Sequence, residues 1–584
     1  MNRDGIENGL DGRRPANRAR FRRRIGDALE DFEDVPVRTL VFVCGHEIED
    51  ASSAIGLDSV NGKPRRRREV DAFWPATTAV AAVLAGVLGW FLRTWPPHED
   101  EALALFVGRG SLGHVLHTVV AERGGAPLHF GFAWLVVHLG GGLTGLRIVS
   151  LVFAVASVPL IALLGARLAD RMTGVVAAAL ASGSWVMMFH GIYGRMYSLF
   201  LFTSLLSFLA LLAALDRGGR RRFALWGAAL LLMLASHPYA VLVVAAQGLF
   251  ILLRRRRVRE AIVTLAAVGV VGIPFWWADL VLRDRFDVGV GGGGPRLGSP
   301  TSVLHYFWWV AGDFSAGHQA WSTPVLLLAL VGAVLLWRHR RDSLALFACV
   351  IAVPAVAFML ATLNSTASPE ARHLIFALPF FSVLVAAPIV ELGRRGGRLA
   401  PAAALIALAV LLTGEVRWTH QKTPPLFDGD PPGEAQARDA AGGWLAATYR
   451  PSDVLLGYEP VYLQAWERNR SFSGHTLPRA DPALLASSLK DIPEPLGRGV
   501  WVFDASDTTN LKERQTIPLV TPSPHSAFEA RAYGPFLVIR SRRPLVTRAH
   551  YLSVSEEVMR LGRRLQIGDA DINLRTLLRA ESLL

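Results

Sequence analysis

The chain has 584 residues, of which 52% are hydrophobic, a net charge of +13 and two cysteines. The hydrophobic residues fall in long blocks, which excludes an ordinary soluble protein and predicts a polytopic membrane protein with polar appendages. Two cysteines exclude a disulfide framework and a cysteine-based metal site. Because the arginine clusters lie between the apolar blocks, the positive charge is not evidence for nucleic-acid binding, and we predict no nucleic-acid partner.

Residues 1–73 are polar and basic, and we interpret them as a largely flexible cytoplasmic tail without a cleavable signal peptide. Arginines cluster at 13–24 and 65–68, where they favour contact with anionic lipid headgroups. One short apolar stretch, 40–44, has the composition of a β-strand. We therefore expect the first membrane-spanning run only after this tail.

Apolar runs between residues 74 and 418 predict about 11 transmembrane helices. The runs are 74–95, 146–166, 174–191, 197–215, 223–236, 238–254, 260–282, 322–338, 343–362, 373–393 and 398–416. If the tail is cytoplasmic, all the arginine-rich connections (167–171, 217–222, 254–259, 338–341 and 394–398) fall on the cytoplasmic side. The pattern predicts a multi-pass protein of the cell (inner) membrane with a cytoplasmic N-terminus.

Two further segments are predicted as juxtamembrane helices on the outer face, 101–121 and 127–140. If 127–140 spanned the membrane, the later arginine-rich connections would switch to the outer side, against the positive-inside rule. Segment 101–121 carries apolar residues at a helical spacing, which is typical of an interfacial helix.

Residues 419–584 are no longer hydrophobic overall, and two proline pairs separate them from the last apolar run. Helical patterns at 434–449 and 482–490 alternate with short apolar runs at 453–458 and 500–503. This alternation predicts a small C-terminal α/β domain, and the span count places it on the extracytoplasmic side.

Asp100 and Glu101 follow the first apolar run and face water close to lipid. A carboxylate at this position can act as a general base on an acceptor hydroxyl or hold a divalent cation. The alternative is a solvated acidic pair at a helix exit, which is common.

Arg195 and Arg372 begin two different helices on the outer face, where the positive-inside rule predicts few arginines. A guanidinium group binds phosphate in bidentate fashion, so the pair is expected to converge on one phosphate. The alternative for each is an arginine that extends to the interface. The outer connections also place Tyr197, His237, Tyr239 and His373 nearby as substrate-binding candidates. His129 and His190 are weaker candidates.

Four short pieces occur in the same order and on the same side as in a known group of enzymes. They are Asp100-Glu101, then Ala126-Pro127-Leu128-His129-Phe130, then Arg195 with Tyr197-Ser198-Leu199, and finally Arg372-His373-Leu374 with Leu378-Pro379. On these pieces the chain resembles the GT-C glycosyltransferases, in particular the protein O-mannosyltransferase and aminoarabinose transferase group (glycosyltransferase family 39-like). The resemblance covers about 75–416. The chain departs from it at Ala126, where the group often has proline, and at His373, where it often has tyrosine.

The resemblance implies a GT-C-like catalytic module at 74–418 that moves a sugar from a polyprenyl-phosphate-linked donor to an acceptor on the outer face. It implies Asp100 as the catalytic base, assisted by Glu101, with Arg195 and Arg372 at the leaving phosphate and His237 in the same cavity. The enzyme would be an inverting hexosyl- or pentosyltransferase. The acceptor would be a protein, a lipid or a glycan. Because the donor supplies a phosphate leaving group, the enzyme would need neither a nucleotide nor a redox cofactor. No residue is assigned as a metal ligand, although a divalent cation remains possible.

Two other functions stay open at this point. A non-enzymatic transporter or flippase of a lipid-linked sugar precursor would use the same arginines, but it needs charged groups at the membrane midplane, and the spans contain few. The chain also shows no internal repeat of the kind that builds many transporters. A membrane scaffold with an outer binding domain is the second alternative.

Overall fold

The computed structural model describes residues 65–92, 94–287, 297, 299–318, 321–361, 369–395, 397–427, 429–457, 460–472, 475–504 and 519–584. The chain divides into two compact units, Met1–Asp71 and Ala72–Leu584. Of the first unit the structure describes residues 65–71, which are helical. The strand predicted at 40–44 lies outside the described residues.

Helices dominate the described residues from 65 to 422. In chain order they are α1 (Arg65–Phe91), α2 (Glu99–Val107), α3 (Leu112–His117), α4 (Pro127–His138), α5 (Leu143–Leu168), α6 (Arg171–Gly183), α7 (Trp185–Ile192), α8 (Tyr197–Arg217), α9 (Arg220–Leu234), α10 (Ala240–Arg254), α11 (Val258–Val271), α12 (Ile273–Asp287), α13 (Pro300–Asp313), α14 (Ser322–His339), α15 (Arg341–Ala361), α16 (Leu378–Arg395) and α17 (Ala400–Lys422). A π-helical turn, Thr118–Arg123, follows α3, and a 3-10 helix, Ala371–Ala377, leads into α16.

Each of the eleven predicted runs falls in one helix or one bent pair of helices. Among the described residues, seven helices are long and apolar enough to cross a membrane, or up to nine if the bent pairs α6–α7 and α11–α12 each form one span. The other two runs are α9 and α10, which have 15 residues each. A helix of that length reaches about 22 Å, short of the roughly 30 Å hydrocarbon layer, so length and composition support fewer spans than predicted.

The segment predicted as one helix over 101–121 is divided into α2, α3 and the π-helical turn. Helix α2 ends at Val107 before two glycines, Gly108 and Gly110, which lower helix propensity. Ser111 then starts α3 by accepting a hydrogen bond from the His114 backbone N–H. The next predicted juxtamembrane segment, 127–140, forms α4, which begins with Pro127 at its first position.

The C-terminal region forms a five-stranded sheet with helices, so the predicted α/β character is confirmed. The strands are β1 (Val454–Leu456), β2 (His475–Leu477), β3 (Gly499–Asp504), β4 (Phe528–Tyr533) and β5 (Phe536–Ser541), in the order β2-β1-β3-β5-β4. β1 pairs in parallel with β2 and β3, whereas β5 pairs antiparallel with β3 and β4. The helices are α18 (Pro431–Thr448), α19 (Pro460–Arg468), α20 (Pro482–Asp491), α21 (Arg548–Arg564) and α22 (Ala570–Glu581).

One face of this sheet domain packs against the helices that follow the first span. Phe106 and Val115, from α2 and α3, share a buried apolar cluster with Tyr462 and Trp466 of α19. The Arg109 guanidinium also donates a hydrogen bond of 2.8 Å to the Phe472 carbonyl oxygen. The C-terminal domain therefore fixes the position of α2, which carries the acidic pair.

Candidate active site

The acidic residues lie in the first turn of α2, where the free backbone N–H groups favour negative charge. His98 is the N-cap, and its Nδ1 accepts a hydrogen bond of 3.2 Å from the Asp100 backbone N–H. The Glu101 side chain in turn accepts one of 2.8 Å from the His98 N–H. This reciprocal capping holds the turn in one conformation.

Three consecutive carboxylates in this turn each pair with an arginine from a different part of the chain. The pairs are Glu99 with Arg479, Asp100 with Arg195, and Glu101 with Arg147. Arg479 comes from the C-terminal domain, Arg195 from the connection before α8, and Arg147 from the first turn of α5. The acidic turn is thus the point where three regions of the chain meet.

Glu101, Arg147 and Gly194 form what we call the buried junction. The two Glu101 oxygens accept bonds of 2.9 Å each from Arg147 Nε and Nη2, and Oε1 also accepts one of 2.6 Å from the Gly194 N–H. Arg147 donates two more bonds, of 2.7 Å each, to the carbonyl oxygens of Trp95 and Pro96. Glu101 is fully buried and engaged on both oxygens, which is the arrangement of a structural ion pair.

Asp100, Arg195, Tyr197 and Arg372 form a second group, the arginine–tyrosine cluster. The Asp100 side chain is 24% exposed and pairs with Arg195. The Cζ atoms of Arg195 and Arg372 lie 5.2 and 5.4 Å from the centroid of the Tyr197 ring. The two arginines predicted to converge are therefore neighbours around one aromatic ring.

Each of these arginines keeps hydrogen-bonding capacity. Within the described residues, the Nε atoms of Arg195 and Arg372 are both buried and have no hydrogen-bond partner. Arg372 Nη2 lies 2.5 Å from Glu370 Oε1, so this guanidinium is paired on one side only. Two guanidinium groups beside one ring, each with an unpaired donor among the described residues, favour binding of an anion, and phosphate has the matching geometry.

Aromatic side chains of the connections predicted to be outer extend the cluster. The Tyr197 ring lies 5.4 Å from His237 and 6.0 Å from His373, and His373 stacks on Tyr239 with centroids 4.6 Å apart. Burial, followed by the charges of Arg195 and Arg372, lowers the pKa of His237 to about 3. His237 is therefore neutral at physiological pH.

Two other histidines lie beside the acidic turn. Desolvation and then the charge of Arg195 lower the pKa of His98 to about 3, although the neighbouring Asp100 opposes this shift. His129, at the start of α4, is buried against Phe130, and burial followed by the Arg123 charge lowers its pKa to about 3. The charges of Arg195 and Asp100 also act on the His129 ring, so His129 lies next to the arginine–tyrosine cluster.

One group of side chains in the described residues has the spacing of a metal site. Ligand atoms of His98, Glu99 and Asp100 all lie within 4.8 Å of one another. Glu99 and Asp100 already pair with Arg479 and Arg195, so a cation would compete with both guanidinium groups. The possible divalent cation stays a prediction.

The structure also adds residues that the sequence argument missed. Arg147 lies near the start of α5, at an end that the charge pattern predicts to be outer, and the rule that singled out Arg195 and Arg372 applies to it equally. Arg479 had no such signal, because it lies in the C-terminal domain far along the chain. His190, considered weak, packs 4.8 Å from Tyr197, and both of its ring nitrogens are buried without a hydrogen-bond partner among the described residues.

Comparison with known proteins supports the predicted resemblance. Residues 124–277 match the family model of the dolichyl-phosphate-mannose-protein mannosyltransferases. No curated protein matches the chain by sequence.

Solved structures match over a larger part of the chain. The crystal structure of ArnT from Cupriavidus metallidurans bound to undecaprenyl phosphate superimposes with a TM-score of 0.52 at 12% identity, covering 80% of this chain and 97% of ArnT. Its apo state gives the same TM-score and identity, with coverages of 81% and 98%. An oligosaccharyltransferase from Archaeoglobus fulgidus aligns more weakly, with a TM-score of 0.45 at 11% identity over 74% of this chain and 68% of that one. The likeness to ArnT shows that the chain has the GT-C fold.

Proposed function

We propose that this GT-C protein is a glycosyltransferase that moves a sugar from a polyprenyl-phosphate-linked donor to an acceptor at the extracytoplasmic face of the cell membrane. The observation that carries the proposal is that Arg195 and Arg372 both lie at the Tyr197 ring, with Asp100 paired to Arg195. A carboxylate beside two arginines combines a proton acceptor with an anion site. Transfer from a lipid phosphate requires both.

The arginines account for the leaving group. The phosphate gains negative charge as the bond between its oxygen and the sugar breaks, and donors placed in advance stabilise that charge most in the transition state. The buried Nε atoms of Arg195 and Arg372, unpaired among the described residues, supply such donors. His237, His373 and the two tyrosines, Tyr197 and Tyr239, would then line the site next to the phosphate.

Asp100 is the proposed general base. The acceptor hydroxyl loses its proton to the Asp100 carboxylate as its oxygen attacks the anomeric carbon, and the bond to the phosphate oxygen breaks on the opposite side. This single displacement inverts the anomeric centre and releases polyprenyl phosphate. Glu101 is occupied by Arg147 and Gly194, so we assign it the positioning of the acidic turn rather than contact with substrate.

The donor class draws support from the comparisons. ArnT was solved with undecaprenyl phosphate, and the matching family model is named for a dolichyl-phosphate-linked sugar. Both names contain a polyprenyl phosphate, which fits an anion site at the outer ends of apolar helices. The sugar and the acceptor, whether protein, lipid or glycan, are for experiment to identify.

The test is a transfer assay with the purified full-length chain in detergent. A panel of labelled polyprenyl-phosphate sugars is offered with membrane extract as the acceptor source, and released polyprenyl phosphate and labelled product are measured. We expect release for one donor, and a product whose anomeric configuration is opposite to the donor's. Retention of configuration would contradict single displacement.

A second arm separates the enzyme from a flippase. Asp100→Asn is expected to abolish release while donor binding persists, with Asp439→Asn as the matched control because Asp439 also pairs with an arginine but on the surface of the C-terminal domain. A flippase would release no polyprenyl phosphate in either protein and would move labelled donor across a vesicle membrane. That result would contradict the glycosyltransferase proposal and favour a transporter.

A further inference from the structure

A cavity of about 430 Å³ lies among the helix ends farthest from the acidic turn. It is lined by the ends of α5, α8 and α10 and by the connection between α14 and α15. Five arginines line it: Arg167, Arg254, Arg256, Arg340 and Arg341. The proposed glycosyltransferase reaction uses none of them.

The distance between this cavity and the acidic turn follows from shared helices. Helix α5 contacts Glu101 through Arg147 near its start and lines the cavity with Arg167 near its end. Twenty residues of α-helix correspond to roughly 30 Å, which matches the hydrocarbon layer of a membrane. Helix α8 repeats the pattern, with Tyr197 in the arginine–tyrosine cluster and Asp216 at the cavity. If the acidic turn lies at one membrane surface, the cavity lies at the other.

The charge of the cavity is unbalanced. Two of the arginines have acidic partners, since Arg167 pairs with Asp216 and Arg254 pairs with Asp342. These two aspartates are the acidic residues of the lining, so five arginines against two aspartates leave an excess of three positive charges. The positive-inside rule explains why arginines lie at these helix ends, but it does not explain why they enclose a common space.

The cavity wall also has an apolar part. Leu215, Phe250 and Leu346 line it and are buried. A basic rim over an apolar floor suits an amphipathic ligand with a phosphate and a hydrocarbon part. Basic pockets between transmembrane helices at the cytoplasmic side are suited to phospholipid headgroups.

We propose that this cavity binds a phosphate group, supplied by an anionic phospholipid of the leaflet opposite the acidic turn. The phosphate lies against the three cationic side chains in excess, and the acyl chains extend along the apolar wall. The site stabilises the helix ends that meet there. A soluble phosphate would satisfy the same arginines but not the apolar wall.

The test compares thermal unfolding of the full-length protein in neutral detergent with added phosphatidylglycerol, phosphatidylcholine or inorganic phosphate. We expect phosphatidylglycerol to raise the midpoint by several degrees and phosphatidylcholine to leave it unchanged. The triple variant Arg256→Gln, Arg340→Gln, Arg341→Gln should lose that rise. Arg220→Gln, Arg221→Gln, Arg259→Gln removes the same charge from exposed arginines outside the cavity lining and should keep it.

Each outcome decides something. An equal rise for both triple variants would overturn the site, because general attraction to basic loops would then explain it. A rise with inorganic phosphate as large as with phosphatidylglycerol, lost only in the cavity variant, would keep the phosphate site and overturn the lipid source. If the cavity variant does not fold, the single exposed change Arg256→Gln is used, with phosphatidylglycerol retained per protein measured by native mass spectrometry; retention equal to the unchanged protein would overturn the proposal.

Discussion

The buried junction and the arginine–tyrosine cluster begin from adjacent carboxylates that each pair with an arginine, but they differ in burial and in unused hydrogen-bonding capacity. Glu101 is fully buried, and Arg147 and the Gly194 N–H use its oxygens. Asp100 is 24% exposed, and its partner Arg195 retains an unpaired Nε among the described residues. One carboxylate has its partners within the fold, whereas the other is placed where a substrate can reach it.

This difference indicates that two adjacent carboxylates have different roles, one in structure and one in chemistry. A buried ion pair with saturated hydrogen bonds fixes geometry, and removing one partner leaves an uncompensated charge. A partly exposed carboxylate beside arginines that each keep one unpaired Nε among the described residues has capacity left for chemistry. The comparison predicts that substitutions one residue apart will separate activity from stability.

The largest expected effect is the loss of turnover in Asp100→Asn. A positioned general base contributes about 10² to 10⁴ in rate, so we expect kcat to fall by about that factor. Because Asn keeps the shape and the side chain is partly exposed, the thermal midpoint should stay within a few degrees. Turnover and thermal unfolding of the same preparation provide the measurement.

Asp439→Asn serves as the control for this change, since it removes an arginine-paired carboxylate far from the acidic turn. If both variants keep full turnover, Asp100 is not the base. If Asp100→Asn instead unfolds the protein, Asp100 resembles Glu101 and the distinction between the two groups fails.

Glu101→Gln should show the opposite pattern. Breaking a buried ion pair from one side costs about 3–5 kcal/mol, because Arg147 would stay buried without a counter-charge. We expect a fall in the midpoint of unfolding that exceeds any change in kcat of the protein that remains folded. Gly194→Ala tests the same junction, because a Cβ there would lie 2.7 Å from Leu146 and 3.1 Å from Glu101 Oε1. Normal stability in both variants would contradict the structural role of the buried junction.

Arg372→Gln tests the phosphate side of the cluster. A hydrogen bond to a charged group contributes about 1.5–3 kcal/mol, so donor affinity should fall about 10- to 100-fold, and kcat should fall as well. Arg372→Lys should recover part of the affinity, because it keeps the charge but not the planar donor geometry. Binding of polyprenyl phosphate alone is the measurement, with exposed Arg468→Gln as the control. Unchanged binding in Arg372→Gln would place the phosphate elsewhere.

The sequence predicted which side chains share one end of the helix bundle, but it did not predict which of the two carboxylates is buried. Charge asymmetry located Asp100, Arg195 and Arg372 on one side, and the structure brings them together because their helices begin at the same end of the bundle. The sequence could not separate Asp100 from Glu101, because the distinction rests on Arg147, which lies 46 residues away from Glu101.

The division of 101–121 was equally hidden, since hydrophobic spacing continues across Gly108 and Gly110. The apolar runs predicted the helices, but the length of α9 and α10 reduced the number that fit a membrane span. In the C-terminal domain the sequence predicted α18, β1, α20 and β3 but not the other strands and helices. The packing of this domain against α2 depends on long-range contacts that no local pattern records.

Acidic pH should weaken the fold through the histidines around the cluster. The pKa values of His98, His129 and His237 are each lowered to about 3, from an ordinary value of 6.5. The unfolded chain therefore binds more protons between pH 3 and 6.5, so stability is complete above 6.5 and is lost as the pH falls. At pH 5 the loss is about 2 kcal/mol for each of the buried His129 and His237, from 1.36 kcal/mol per pH unit. The loss is smaller for His98, because its side chain is 33% exposed and solvent screens its charge.

Unfolding midpoints between pH 5 and 8 measure this effect, and His237→Asn isolates one member. Asn can still accept the hydrogen bond that the Tyr239 N–H donates to His237 Nδ1. We expect a shallower decline below pH 6.5 in this variant than in exposed His117→Asn. Identical pH profiles would show that His237 does not contribute.

The smallest expected effect concerns Arg479, which ties the C-terminal domain to Glu99 beside the catalytic candidate. Arg479 also lies 2.6 Å from Asp569, so it bridges two acidic groups of which both are more than one-third exposed. Partly exposed ion pairs contribute about 0.2–1 kcal/mol, so Arg479→Gln should change stability little. If the domain positions the acidic turn, kcat should still fall by up to about fivefold, with donor affinity kept and partial recovery in Arg479→Lys. If a fall in stability fully accounts for the lost activity, the contact between Arg479 and Glu99 has only a structural role. The residues that act in the reaction would then be limited to the arginine–tyrosine cluster.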